Sequence, residues 1–209
     1  IGTNNQQSEC VNDCEKLRNF LITNKYFNSN ELTMMTDFTS GILNPSKRNI
    51  MNQLDLLLKF ARSNPKKQIL LFVSYSGNGH KVCDVTNDKN NKLAVLCPVD
   101  FQRSGFIGDE ELRNKFINQL PSNVKLVLVI DACHNETMLD LKYKYKNDEK
   151  NTYTVFGKLL PTACDVAVIS GCRDNNQHDH KGAIIDALLS SYNNLNNYGE
   201  LLANMEKWL

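Results

Sequence analysis

Two short apolar segments that each run into polar residues constrain the fold of this chain most. Residues 70–75 (LLFVSY) continue into 76–80 (SGNGH), and residues 127–130 (VLVI) continue into 131–134 (DACH). A continuous apolar run of this length is typical of a strand buried on both faces of a parallel sheet. The carboxyl ends of parallel strands meet at one edge, where open α/β sheets build their sites. Cys133, which follows such a strand, is therefore the candidate nucleophile.

The rest of the chain alternates predicted strands with predicted helices. Strands are predicted at 31–35, 68–75, 93–98, 125–132 and 166–170. Apolar residues at helical spacing predict helices at 12–24, between a cap at 44–46 and a stop at 64–65, and at 109–120, 155–160, 182–191 and 198–209. This alternation predicts one α/β domain over 1–209, in which a mainly parallel sheet is flanked by helices on both faces.

Charge and cysteine content exclude several classes of partner. With 24 basic and 23 acidic residues, the net charge of +1 favours neither nucleic acid nor an anionic membrane surface. No apolar run approaches the roughly 20 residues of a membrane span, so we expect a soluble protein. The seven cysteines lack the spacing of a disulfide scaffold or a zinc finger, which favours a reducing, cytoplasmic location. We expect no organic cofactor.

Five ordered motifs resemble those of type I metacaspases, which are caspase-related cysteine peptidases. They are Cys-Val-Asn-Asp at 10–13, Tyr-Ser-Gly-Asn-Gly at 75–79, Cys-Pro-Val-Asp-Phe at 97–101, Asp-Ala-Cys-His at 131–134 and Ser-Gly-Cys-Arg-Asp at 170–174. The resemblance implies a caspase-like fold with a large-subunit-like part at 1–141, an exposed loop at 142–152 and a small-subunit-like part at 153–209. Residues 1–4 (IGTN) look like the second half of the family's opening strand, so we expect that strand to be truncated.

The resemblance also assigns catalytic roles, with one departure from the family pattern. Cys133 would be the nucleophile, and the backbone N–H groups of Gly79 and Cys133 would line the oxyanion hole. Asn78 stands where the family places its catalytic histidine. An amide cannot accept and return a proton as imidazole does, so general-base assistance of about 10²- to 10⁴-fold would be lost. His80 is the candidate displaced base, although a shift of two residues in an extended segment moves a side chain by roughly 6 to 7 Å.

A substrate pocket is implied by four further positions. Cys10, Asp13, Ser76 and Asp131 match the acidic pocket that receives arginine or lysine before the cleaved bond in metacaspases. Carboxylates facing one pocket pair well with a guanidinium or ammonium group. The alternative is that Asp13 caps the first helix and Asp131 fixes its local loop.

Calcium is the cofactor that the resemblance implies. Asp109, Glu110 and Asp140 match the acidic positions of the family, and Asp100 is a further candidate. Calcium takes six to eight oxygen ligands, so three carboxylates do not define a complete site. The alternative is that Asp109 and Glu110 are favourable charges at the start of a helix.

The resemblance thus implies a monomeric, calcium-activated cysteine endopeptidase that cleaves after arginine or lysine in basic peptide or protein substrates. The alternative is a catalytically impaired homologue, or an inactivated mutant, that binds basic peptides as a regulatory module. Asn78 is the residue that keeps this alternative open.

Overall fold

The structure is a computed structural model that describes residues 1–3, 9–83, 92–132, 139, 141, 143–145, 153–155, 162–171, 183–192, 200–201 and 204–205. The strands are β1 (Gly2–Thr3), β2 (Ile69–Gly77), β3 (Gly79–Cys83), β4 (Lys92–Leu96), β5 (Ile107–Gly108), β6 (Val124–Asp131), β7 (Tyr143–Tyr145), β8 (Tyr153–Val155) and β9 (Asp165–Gly171). The helices are α1 (Glu9–Thr23), α2 (Lys47–Ser63), α3 (Phe101–Ser104), α4 (Asp109–Lys115) and α5 (Ala183–Ser191).

Four parallel strands form the central sheet, in the order β1-β2-β6-β9. The β2–β6 ladder runs from the pair Ile69–Val124 to the pair Ser76–Asp131, so both strands end at the same edge. On the other side of β6, Asp131 pairs with Gly171 at the end of β9. The predicted strands at 68–75, 125–132 and 166–170 are confirmed, and the apolar run of β6 contributes side chains to the cores on both faces of the sheet.

Side chains of the central sheet alternate between two hydrophobic cores. On β6, Leu126, Leu128 and Ile130 join the core that contains the apolar residues of α2 and α4. Val129, which points the other way, joins the core formed with α1 and α5. This period of two follows from the pleat of the strand. Helices therefore cover both faces of the sheet, as the sequence predicts.

Helix α2 shows how the sequence sets the ends of one element. Ser46 is its N-cap, and the Ser46 hydroxyl accepts a hydrogen bond from the backbone N–H of Asn49. Its buried face contains Ile50, Leu54, Leu58 and Ala61. The residue after the helix is Asn64, followed by a proline that disfavours helical backbone at the residue before it. The predicted helix between 46 and 64 is confirmed.

A second, antiparallel sheet of β3, β4 and β5 adjoins the carboxyl end of β2. The buried Tyr75 hydroxyl bridges the two sheets: its Oη lies 2.9 Å from the Asn78 carbonyl oxygen and 3.0 Å from the Cys97 carbonyl oxygen. The backbone N–H of Cys97 also donates to the Asn78 carbonyl at 3.1 Å. These bonds fix the chain just beyond the end of β2.

Several local predictions were wrong. Residues 32–35 form no strand, and in this segment only Thr36 makes an isolated bridge. The predicted exposed loop at 142–152 contains β7, which pairs with β8, so Val155 belongs to a strand and not to the start of a helix. The helix predicted at 109–120 ends at Lys115 and is followed by a 3₁₀ turn. The remainder of the predicted helix 155–160 lies outside the described residues.

The cysteines and the helices bear on the expectations for disulfides and membrane spans. Cys10, Cys14, Cys97 and Cys164 are buried, and none of them forms a disulfide within the described part of the chain. No helix in the described part of the chain combines the length and the apolar character that a membrane crossing requires.

The Tyr75 bridge predicts a stability effect. Tyr75→Phe removes the hydroxyl while the ring stays in the core, and it weakens the tie to two buried carbonyls, so we expect the free energy of unfolding to fall by about 1–2 kcal/mol. Urea unfolding followed by circular dichroism measures this. Tyr26→Phe is the control and should change stability less, because the hydrogen bond of the Tyr26 hydroxyl to the Tyr192 hydroxyl is exposed to solvent. An equal loss in both variants would contradict the role of the bridge.

Candidate active site

The candidate site lies at the edge where β2 and β6 end. Ser76 and Asp131 are directly opposite each other in the ladder, and both side chains are buried. Asn78 lies two residues beyond Ser76, and Cys133 lies two residues beyond Asp131 in the sequence. Cys133 itself is outside the described residues. The parallel register therefore brings the two motif-bearing segments to one edge of the sheet.

Asn78 connects β2 to β3, and its side chain is exposed. Its backbone carbonyl is the acceptor for Tyr75 and Cys97, so its main chain is anchored while its amide faces solvent. Gly79 starts β3 and pairs with Leu96. From Gly79 onward the segment is therefore held in an antiparallel ladder with β4.

Among the described residues, His80 is the histidine. It is exposed on β3, pairs with Val95 across the ladder, and its ring lies 6.2 Å from that of Phe106 between centroids, at an angle of 31°. Two residues along a strand span about 6 to 7 Å. To serve the reaction from this position, the imidazole would have to reach back toward the end of β2.

The four predicted pocket residues come from three elements. Cys10 and Asp13 are one turn apart on α1 and are 2% and 3% exposed, while Ser76 on β2 is 1% and Asp131 on β6 is 7% exposed. The Ser76 hydroxyl donates to Asp13 Oδ2 over 3.2 Å. Asp13 is the fifth residue of α1, which begins at Glu9, so the alternative that Asp13 caps this helix is wrong.

Burial dominates the electrostatics of Asp13. Removal from water raises the pKa of the Asp13 carboxyl above its usual value, because the charged form loses hydration. The hydrogen bond from Ser76 and the charge of Lys16 work against this increase in pKa, whereas the nearby carboxylates Asp186 and Glu9 add to it. The Asp13 carboxyl is therefore a buried acidic group whose charge a nearby cation could neutralise.

Lys16 and Asp186 are site neighbours that sequence reasoning missed. Lys16 Nζ lies 2.6 Å from Asp186 Oδ1 on α5 and 3.9 Å from Asp13 Oδ1. The i,i+3 spacing of Asp13 and Lys16 on one helix is a signal that the sequence contains. Asp186 has no such signal, because only the tertiary fold brings α5 next to α1.

The predicted calcium ligands are only partly described. Asp109 and Glu110 start α4, and Asp109 Oδ1 accepts a hydrogen bond from the Glu110 N–H over 2.7 Å. Their position at a helix start fits the alternative of favourable charges there. Asp140 lies outside the described residues. Carboxylates suit calcium chemically, but the described residues contain no group of three acidic, histidine or cysteine side chains that could hold a metal.

Asp100 is engaged in local structure. Its Oδ1 accepts from the Lys47 backbone N–H over 2.8 Å, and its Oδ2 accepts from the Ser104 hydroxyl over 2.6 Å. Burial alone would raise the pKa of Asp100, but the hydrogen bonds from Ser104 and Lys47 hold this pKa below its usual value. Both carboxylate oxygens therefore already have donors at the start of α2 and in α3.

The buried Asp13 predicts a pH-dependent stability. Because its pKa is raised in the folded state, the native chain holds a proton more tightly there than the unfolded chain. This contribution favours folding at low pH and is lost as pH rises from the unfolded pKa through the folded one. We expect Asp13→Asn to gain stability relative to the parent as pH rises across this window, measured by urea unfolding at several pH values. A difference that is constant with pH would contradict the raised pKa.

Comparison with known proteins places the chain in a family. Residues 1–142 match the family model described as "Metacaspase, peptidase C14 domain". The chain is 33% identical over 147 residues to Metacaspase-1 of Saccharomyces cerevisiae strain S288c, covering 69% of this chain and 33% of that protein. It is 32% identical over 183 residues to Metacaspase-1 of Plasmodium falciparum, covering 83% of this chain and 28% of that protein. The chain thus spans about a third of the length of the curated relatives it matches.

A solved structure resembles the fold over nearly the whole chain. The crystal structure of protein GSU0716 from Geobacter sulfurreducens superposes with a TM-score of 0.66 at 18% identity, covering 98% of this chain and 81% of that one. At this identity the likeness concerns the fold alone. The parallel sheet with helices on both faces confirms the predicted caspase-like α/β class. From the match over residues 1–142, the chain belongs to the metacaspases of the C14 family of cysteine peptidases.

Proposed function

We propose that the chain is a cysteine endopeptidase module that cleaves after arginine or lysine, with Cys133 as its nucleophile. The observation that supports this most is the shared edge of β2 and β6, where the buried Asp13, Ser76 and Asp131 lie beside the segment that leads to Cys133. Parallel strand ends that present a nucleophile and a polar pocket together suit acyl transfer.

The proposed basic specificity rests on charge. Asp13 and Asp131 are buried acids next to the same serine, since Ser76 bonds to one and is the ladder partner of the other. A buried carboxylate without enough compensation is costly, and a guanidinium or ammonium group can supply both charge and hydrogen-bond donors. A peptide with arginine or lysine at the residue before the cleaved bond would satisfy this need.

In the proposed reaction the Cys133 thiolate attacks the carbonyl carbon of the substrate. The backbone N–H groups of Gly79 and Cys133 would donate to the oxyanion, in the manner of an oxyanion hole. The amine leaves with a proton, and water then hydrolyses the thioester to release the acid and regenerate the thiol. Asn78 cannot supply that proton, so His80 is the candidate donor.

Without an adjacent base the thiol keeps little reactivity. A free cysteine of pKa about 8.5 is a few per cent ionised near pH 7, so Cys133 would react slowly. The second candidate function, a module that binds basic peptides without turning them over, is favoured only by Asn78 at the family's histidine position. Such a binding module would use the same acidic pocket but would not cleave the bound peptide.

Turnover of fluorogenic arginine and lysine peptides separates the two candidates. We expect slow release that Cys133→Ala abolishes and that Asn78→His accelerates by about 10²- to 10⁴-fold, because a base in the family position restores proton transfer. His80→Ala tests the displaced base, and a peptide with citrulline in place of arginine controls for charge. Arg103→Ala, at an exposed arginine of α3, is a neutral control.

Each outcome has a defined reading. Turnover lost in His80→Ala would establish His80 as the base. Silence in the parent that Asn78→His relieves would favour the binding module. Turnover of citrulline peptides as fast as arginine peptides would contradict the acidic pocket.

We also propose that calcium binds near the start of α4 through Asp109, Glu110 and Asp140. Their carboxylate oxygens are the donors that calcium prefers, and backbone carbonyls or water would complete the shell. When bound, the ion would neutralise these charges and hold the ends of its ligand segments together. No step of the proposed reaction requires it to contact the substrate.

Thermal unfolding tests calcium binding without relying on activity. At a calcium concentration about a hundredfold above the dissociation constant, binding to the native state should raise Tm by about 5–10 °C. Asp109→Asn should remove most of this increase, whereas Asp165→Asn, at an exposed position on β9, should keep it. An unchanged Tm in the parent, or an equal shift with magnesium, would count against a calcium site.

A further inference from the structure

We propose that Lys16 is a built-in counter-ion of the acidic pocket, which a basic substrate side chain must displace, and that Asp186 sets how strongly Lys16 competes. This inference rests on the proposed function of the pocket as a receptor for arginine or lysine. It assigns a specificity-determining role to Lys16 and a positioning role to Asp186, neither of which belongs to the four predicted pocket residues.

The geometry places one ammonium group between two carboxylates. Lys16 Nζ lies 2.6 Å from Asp186 Oδ1 and 3.9 Å from Asp13 Oδ1. The Asp13 side chain is 4% exposed, while those of Lys16 and Asp186 are each 37% exposed. Lys16 therefore sits at the border between the buried acid and solvent, where an incoming cation would approach.

The Lys16 ammonium compensates the charge of the Asp13 carboxylate. A buried carboxylate with no cation nearby is strongly disfavoured, and Lys16 is the cation whose charge lowers the pKa of Asp13. The same charge opposes a second cation at Asp13, because two positive groups within a few ångströms repel. Binding of arginine or lysine thus requires Lys16 to give up its interaction with Asp13.

Asp186 offers Lys16 an alternative partner. Its hydrogen bond to Lys16 is the shorter contact, so Lys16 can release Asp13 without losing its own compensation. Both groups are partly exposed, and ion pairs of this kind are weak enough to rearrange. Asp186 lies on α5 and Lys16 on α1, so the competition depends on how these two helices pack.

The test uses binding, on a Cys133→Ala background so that the peptide is not cleaved. The ligand is a fluorescein-labelled Ala-Ala-Arg-amide, with the citrulline peptide as its neutral counterpart, and fluorescence anisotropy gives the two dissociation constants. Lys16→Met removes the charge and keeps the apolar stem. Lys16→Arg keeps the charge. Lys66→Met, at an exposed lysine after α2, is the control for the same change in net charge.

We expect Lys16→Met to tighten arginine-peptide binding by about 3- to 5-fold, the upper part of the range for a partly exposed charge pair, with citrulline binding unchanged. Lys16→Arg and Lys66→Met should stay within about twofold of the parent. Equal affinities for Lys16→Met and Lys66→Met would overturn the proposal, as would an equal gain for the citrulline peptide.

A double-mutant cycle tests the part assigned to Asp186. Asp186→Asn should weaken arginine-peptide binding several-fold in the parent, because Lys16 then turns to Asp13, and should have less than about half of that effect, in logarithmic terms, in Lys16→Met. An effect of the same size in both backgrounds would mean that Asp186 acts directly and not through Lys16. Thermal unfolding of each variant shows whether a change in binding reflects lost structure.

Asp13→Asn separates this inference from the proposed function. If Asp13→Asn does not reduce the preference for arginine over citrulline, the acidic pocket itself is wrong. If Asp13→Asn removes that preference but Lys16→Met binds like the parent, the pocket stands and the competition by Lys16 is wrong.

Discussion

The parallel pairing of β2 with β6 is the constraint on which the rest of the structure depends. Its register sets Ser76 opposite Asp131 and brings two polar strand ends to one edge. A shift by one residue would turn every side chain of β6 to the other face and exchange the two cores. The apolar residues on each face therefore fix the register, and the register fixes the position of the candidate site.

Buried charge gives that edge its chemical character. Asp13 reaches the sheet from α1 and is held by Ser76, so a helix and a strand share one carboxylate. The resulting rise in its pKa records a cost of folding that the hydrogen bond and Lys16 offset only in part. Such a cost, concentrated at a strand end, is typical of binding and catalytic sites.

The sequence predicted the central strands well because strands buried on both faces are continuously apolar. The sequence-based prediction failed where pairing with a neighbouring strand, and not the apolar pattern, decides whether a strand forms. Residues 32–35 are predicted as part of a strand but pair with no neighbouring strand, and Tyr143–Tyr145 forms a strand despite its charge because β8 lies beside it. The motifs located Asp13, Ser76 and Asp131, whereas Asp186 could not be found, since its distance from Asp13 along the chain hides their proximity.

The same topology orders the formation of the site in time. Helix α1 and β2 come from the first part of the chain, β6 follows much later, and α5 with Asp186 comes near the end. Contacts between residues so far apart in sequence form slowly, because loop closure must precede them. During synthesis on the ribosome, a chain that ends before β6 lacks Asp131, which is the partner of Ser76 in the β2–β6 ladder. The proposed pocket thus cannot form on a nascent chain before β6 has emerged, and its electrostatic balance is completed only when α5 docks against α1.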